Sequence, residues 1–382
     1  MAASNHASRT GGSGQADHAD LANQAAARRR CAVLGKPIAH SLSPALHNAA
    51  YRALNLEGWQ YNREEVGQAE LEAFLVSLDG SWAGLSLTMP LKKTVMSYGT
   101  PCDRWSRELG LANTAVFVGA SNPDDGCGAG FATDCPIALY NTDVDGIVLA
   151  FRHAWGISHG SAQTRERRTG HKTTQSGSLS AIGGKPVRTV ILGNGSTALS
   201  ALAACVVMAK GASCIETAVV SRRPDANPGI ARFGDRHTAI ALETLSMQEH
   251  DLDIAVKRIV DADIVISTLP AHAADTIARR LSARGGAIAS QSALLDVAYD
   301  PRPSALQRAW AGAGGMAVGG EEMLLYQAIV QVCLMTGRDA GRWRVAEDDG
   351  NGDDANNDAV NDGDIDDVRL EQTMRAALQE AW

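Results

Sequence analysis

The chain has 382 residues, 45% of them hydrophobic, 20% charged and 5% aromatic. This balance fits two globular α/β domains and excludes a fibre, a disulfide scaffold and a wholly unfolded chain; so few aromatics also argue against a stacking platform for single-stranded nucleic acid. The formal net charge is −8, but residues 347–367 hold ten Asp and Glu and no Lys or Arg, so the remainder carries +2 and offers no clustered basic face to DNA or RNA.

Residues 1–30 are rich in Ser, Asn, Gly, Gln and Ala, end in Arg28-Arg29-Arg30, and lack the apolar centre of a secretory signal. They are expected to be a disordered leader. Cys31 to Gly35 reads as a short strand, and Ser43-Pro44 opens a helical pattern through Leu54, with proline acceptable at the first helical position. Trp82 to Leu87 and Thr114 to Val118 read as further strands, giving a β-α-β rhythm, and residues 121–130 as a long turn. A polar insertion at 157–186, expected to be disordered, precedes a sharper pattern. Val187 to Leu192 is a β-branched strand, and Leu199 to Lys210 a helix stopped by Gly211. Strands at Cys214–Val220, Asp263–Thr268 and Ala293–Val297 follow with helical spacers, which implies a doubly wound parallel sheet. The acidic stretch 346–368 is expected to be a solvated, disordered tail. No apolar run approaches the ~20 residues of a membrane span. The seven cysteines are odd in number, scattered and without zinc-like spacing, which suits a reducing cytoplasm.

Between the strand at 187–192 and its helix lies Gly193-Asn194-Gly195-Ser196-Thr197-Ala198. This is a G-x-G-x-x-A turn that would set backbone N–H groups and a positive helix end against a diphosphate. A bland glycine turn carries the same letters, but here strand, turn and helix are in register. The next strand ends in Ser221-Arg222-Arg223, with no acidic residue for a ribose hydroxyl; two guanidinium groups match a 2′-phosphate, so NADP is favoured over NAD.

Four polar patches occupy the first half: Ser41-Leu42-Ser43-Pro44, Thr88-Met89-Pro90-Leu91-Lys92-Lys93, Ala112-Asn113-Thr114 and Asn141-Thr142-Asp143. Singly they are ordinary caps and turns, a serine before proline being the usual helix N-cap. In this order, with Gly35 to His40, Asp296-Val297-Ala298-Tyr299 and Gly320 to Gln327, they resemble shikimate dehydrogenases over about 31–155 and 187–340. The resemblance implies NADP-dependent, reversible reduction of 3-dehydroshikimate to shikimate, the carbonyl-reducing step on the route to aromatic amino acids. It implies Lys92 and Asp143 as the catalytic pair. Ser41, Ser43, Thr88, Asn113, Tyr299 and Gln327 would bind substrate; Gly193 to Ala198, Ser221, Arg222, Arg223, Thr268 and Gly320 would bind cofactor.

The chemistry asks for such a pair. Hydride delivered to a ketone carbon leaves negative charge on oxygen, so a proton donor must stand within hydrogen-bond reach, and an ammonium held by a carboxylate supplies both charge and proton. Spacing alone does not choose Lys92 over Lys93; the family register does. A small polyol acid has little apolar area, so neutral polar groups must recognise its hydroxyls. His40, His47 and Cys31 are read as structural, and no metal is expected.

The sequence departs from the family at Asn194 and Ser196, where Ala and Gly are common, at Val144-Asp145-Gly146 after Asp143, and at Arg223 in place of Thr. The expected architecture is an open α/β substrate domain at 31–143, completed by 301–343, and a Rossmann-type NADP domain at 187–300, as a monomer or homodimer without nucleic-acid or membrane partners. A quinate/shikimate dehydrogenase using NAD(P), and a non-catalytic NADP-binding regulatory module, are the competing readings.

Overall fold

In the computed structural model, which describes residues 29–119, 136–157, 185–345 and 363–381, the first half builds one sheet. β1 (Arg29–Gly35) runs to α1 (Ser43–Ala53), then come β2 (Trp59–Glu65), α2 (Leu71–Val76), β3 (Trp82–Leu87) and the single-turn α3 (Leu91–Thr94). β4 (Thr100–Pro101), α4 (Arg104–Leu109), β5 (Thr114–Phe117) and β6 (Ile137–Tyr140) complete it. The strand order is β2-β1-β3-β5-β6-β4. β5 pairs antiparallel with both β3 and β6, with Ser86 opposite Thr114 and Thr114 opposite Tyr140. The start of β5 therefore lies at the same sheet edge as the ends of β1, β3 and β6. That edge gathers Ser41, Thr88, Asn113 and Asn141.

α5 (Thr142–Ala154) leaves this edge with a buried face from Val144 to Phe151. The second half follows: β7 (Val187–Leu192), α6 (Ser196–Met208), β8 (Ile215–Ser221), α7 (Pro228–Arg236), β9 (Ile240–Ser246), α8 (Glu249–Val260), β10 (Ile264–Ser267), α9 (Asp275–Arg284), β11 (Ala293–Asp296), α10 (Ala305–Gly312) and β12 (Met316–Gly319). All neighbours in the order β12-β11-β10-β7-β8-β9 are parallel. This is a doubly wound sheet whose order reverses between β7 and β10, the place where such sheets open a crevice for ligands. α11 (Gly320–Thr336) then returns to the first sheet, packing on α5, and α12 (Gly363–Glu380) lies against α1 and α11. Among the described residues no helix is long and apolar enough to cross a membrane.

The chain departs from its sequence reading in four places. β1 begins at Arg29, inside the stretch assigned to the leader, because Arg29 is buried and bonded to the Gly58 and Gly80 carbonyls while Arg30 stacks over Trp82. The second sheet does not stop at 300: β12 pairs with β11, so its unit runs to residue 319 and only the return from Gly320 serves the first sheet. Residues 363–368, assigned to a disordered tail, open α12, whose Leu370, Met374 and Leu378 recur every four residues and are buried. Ser43 is not an N-cap; Leu42 holds that place and Ser41 Oγ accepts the Ser43 amide at 3.3 Å. The long turn at 121–130 and most of the 157–186 insertion lie outside the described residues.

Candidate active site

A cavity of about 340 Å³ opens where the two halves meet. It is lined by Ser41, Ser43, Thr88, Asn113, Tyr299 and Gln327, by Lys92 and Asp143, and by Thr197 and Gly320 from the second half. Every residue singled out for substrate or acid–base chemistry is therefore at one site.

Lys92 comes from α3 and Asp143 from the first turn of α5. Their side chains, 14% and 6% exposed, form an ion pair with Nζ 2.5 Å from Oδ2. The other carboxylate oxygen, Oδ1, accepts from Asn113 Nδ2 at 2.8 Å. Backbone N–H of Thr142 donates to Asn113 Oδ1 at 2.8 Å, which leaves the amide nitrogen, and not its oxygen, facing Asp143. Asn113 Nδ2 also reaches Gln327 Oε1 at 3.3 Å. The result is a charge pair flanked by neutral donors and acceptors, open on one side. Tyr299 stands at the rim; burial, then the neighbouring Asp300, pushes its phenol above the ordinary range, so it stays a neutral donor at neutral pH.

The residues expected to hold the cofactor lie along the carboxyl edge of the second sheet. Gly193, at φ +106°, adopts a left-handed turn, and a Cβ there would meet Thr268 Oγ1 at 2.5 Å. Thr268 Oγ1 is held by Leu192 O at 2.9 Å, so the turn is pinned between β7 and β10. Gly195 caps α6, whose N-terminus receives no side-chain hydrogen bond. Its free N–H groups and positive end form a cradle for a diphosphate. Asn194 Nδ2 donates to Arg223 O at 2.6 Å and Asn194 O accepts from Asn227 at 2.8 Å, tying the glycine turn to the arginine loop. Arg222 and Arg223 are exposed, and Ser221 Oγ is buried without a hydrogen-bond partner among the described residues. An open cradle, an orphaned hydroxyl and two exposed guanidinium groups fit a phosphorylated dinucleotide. Ser196 and Ala198 sit in the first turn of α6 with Thr197.

Gly320 needs its missing side chain: a Cβ would fall 2.2 Å from Val297 O. It lets α11 start tight against β11 and carry Gln327 into the cavity.

Three polar lining residues escaped the sequence reading. His40, read as structural, is exposed at the mouth. Ser86 and Gln331 also line the cavity. Their signals were periodic: Ser86, on β3, precedes Thr88 just past its end by two, and Gln331 follows Gln327 by four on a helix. His47 and Cys31 are buried in the core, as their structural reading requires; burial drives the His47 imidazole down to about 3 and the Cys31 thiol up to about 12.

Residues 33–115 match the family model of the shikimate dehydrogenase substrate binding domain. The shikimate dehydrogenase (NADP(+)) of Natronomonas pharaonis is 26% identical over 314 residues, covering 81% of this chain and 93% of that protein. That of Methanothrix thermoacetophila is 28% identical over 309 residues, covering 81% and 91%. Among solved structures, shikimate dehydrogenase of Mycobacterium tuberculosis superposes with a TM-score of 0.61 at 28% identity, over 92% of this chain and 99% of that one.

Proposed function

We propose that this chain, which belongs with the shikimate dehydrogenases, interconverts 3-dehydroshikimate and shikimate as an NADP-dependent oxidoreductase, with Lys92 and Asp143 as its acid–base pair. The observation that carries this reading is the 2.5 Å ion pair inside a cavity lined by Ser41, Ser43, Thr88, Asn113, Tyr299 and Gln327. The first sheet with α5 and α11 is the substrate unit, and the second sheet the cofactor unit.

NADPH, when bound, supplies the hydride that reduces the ketone carbon. Gly193 to Ala198 and the N-terminus of α6 would hold its diphosphate, and Ser221, Arg222 and Arg223 its phosphorylated ribose, with Thr268 and Gly320 bounding the path toward the cavity. Lys92 Nζ gives its proton to the carbonyl oxygen as negative charge gathers there, and takes the hydroxyl proton in the reverse direction. Asp143 balances and aims that ammonium. The amine left after transfer regains its proton from solvent on the side where Lys92 remains 14% exposed. Ser41 and Ser43, before and within the first turn of α1, are set to take the substrate carboxylate; the remaining polar groups take hydroxyls. A mismatched hydroxyl would leave several of them unpaired, which is how a small polar ligand is selected.

The test is one assay, absorbance at 340 nm with shikimate and NADP, repeated with quinate and with NAD. Reduction that is fastest with shikimate and NADP is expected. Preference for quinate or NAD overturns the specificity, and no turnover with any pair leaves a binding module instead.

A further inference from the structure

Asp143 stands at the end of a buried file of hydrogen bonds that all run one way. Tyr61 Oη donates to Ser86 Oγ at 2.6 Å, and Ser86 Oγ to Gln331 Oε1 at 2.8 Å. Gln331 Nε2 donates to Thr114 Oγ1 at 3.0 Å, and Thr114 Oγ1 to Asn113 Oδ1 at 3.0 Å. Asn113 Nδ2 closes the file on Asp143 Oδ1 at 2.8 Å. Each of the six is at most 5% exposed.

The direction follows from backbone chemistry. Gln331 Nε2 also lies 3.2 Å from Asn113 O, a carbonyl that only accepts, so the nitrogen must face it and Oε1 must face Ser86. Ser86 then has to donate its proton to Oε1, which leaves its oxygen to accept from Tyr61. Thr114, accepting from Gln331, must donate onward. At the far end the Thr142 N–H fixes Asn113 in the same sense. Every dipole in the file thus points its positive end toward the carboxylate. Hydrogen bonds arranged head to tail in a low-dielectric interior polarise and strengthen one another.

We propose that Gln331 is a positioning residue of the reaction, the central link through which Tyr61 and Ser86 orient Asn113 on Asp143 and so leave Asp143 Oδ2 free to aim Lys92. The inference rests on the dehydrogenase reading above. It gives Gln331 a role distinct from that of Gln327 one turn earlier, which faces the substrate directly.

Gln331→Met keeps the length of the side chain and removes the amide. We expect kcat to fall about tenfold, the effect of weakening one hydrogen bond to a charged group, while the KM for shikimate and the Kd for NADP stay within twofold. Ser86→Ala and Tyr61→Phe should lower kcat by less. The Ser86→Ala/Gln331→Met pair should be no slower than Gln331→Met alone, since the file is already cut. A raised KM with kcat held would make Gln331 and Ser86 substrate contacts; an unchanged kcat with a lowered unfolding midpoint would make them packing; independent, multiplicative losses would break the file into unrelated bonds. Each of these overturns the proposal.

Wild-type turnover of shikimate tests the underlying reading by itself. A readout free of turnover is hydrogen exchange of the Asn113 side-chain amide, assigned by loss of its signal in Asn113→Asp. Exchange at least tenfold faster in Gln331→Met, or in Ser86→Ala if the first variant fails to fold, is expected; equal rates refute the inference.

Discussion

Fifty-one positions apart in sequence, Lys92 and Asp143 meet at 2.5 Å because α3 and α5 both start from one edge of the first sheet. If this contact carries the proton, Lys92→Ala should cut kcat by about 10²–10⁴ and leave the NADP Kd, measured by fluorescence titration, unchanged. Lys93→Ala should keep near wild-type turnover. An equal loss in both variants would remove Lys92 from its assigned place.

Ser43 lies in the first turn of α1 with its amide turned to Ser41 Oγ. Ser43→Ala should raise the KM for shikimate about three- to tenfold, the usual worth of one hydrogen bond, with kcat nearly constant. Initial-rate kinetics at saturating NADP check this, and an unchanged KM takes Ser43 out of the substrate shell.

Arg222→Ala should weaken NADP by about 10- to 100-fold, the range for a charge-assisted bond, and leave NAD nearly untouched. Titration with 2′-AMP isolates the phosphate contact without turnover. Asn194→Ala, which frees the Arg223 carbonyl from the glycine turn, should show a smaller loss of the same kind. Equal weakening of NADP and NAD would place the guanidinium groups elsewhere.

Glu322 predicts a pH dependence of stability. Burial alone would raise its carboxyl, but His153 and Arg375 overcome that and bring it to about 2, against an ordinary value of 4.5. A carboxyl lowered in the fold stabilises fully above its unfolded pKa, so the contribution is intact above about pH 4.5 and is lost as pH falls toward 2. Its size is on the order of 2–3 kcal/mol. Urea midpoints of wild type and Glu322→Gln should differ at pH 7 and converge near pH 2; parallel curves would contradict the assignment.

The strands legible in sequence were the buried ones. Trp82–Leu87 and Val187–Leu192 are mostly apolar and read to the residue, because all their positions but Arg188 are covered. β2 and β9 lie at sheet edges and escaped. Trp59–Glu65 is polar at most positions and buries only Tyr61 fully, and Ile240–Ser246 falls within a stretch whose pattern predicts helical spacers. An edge strand half in water has no continuous apolar run to announce it. At the site, the residues carried by motif were legible as candidates. Ser86 and Gln331 were not, since each is a neutral polar side chain whose meaning exists only once β3, β5 and α11 are side by side.

α12 has a consequence for how the protein is made. Leu370, Met374 and Leu378 bury against a unit whose first strand begins at Arg29, and Arg375 pairs with Glu322. On the ribosome, the N-terminal half emerges first and must wait with an uncovered apolar flank until α12 has left the exit tunnel. A chain cut short before Leu370 would therefore keep every residue of the cavity and lose the lasting shelter of the helices that carry them.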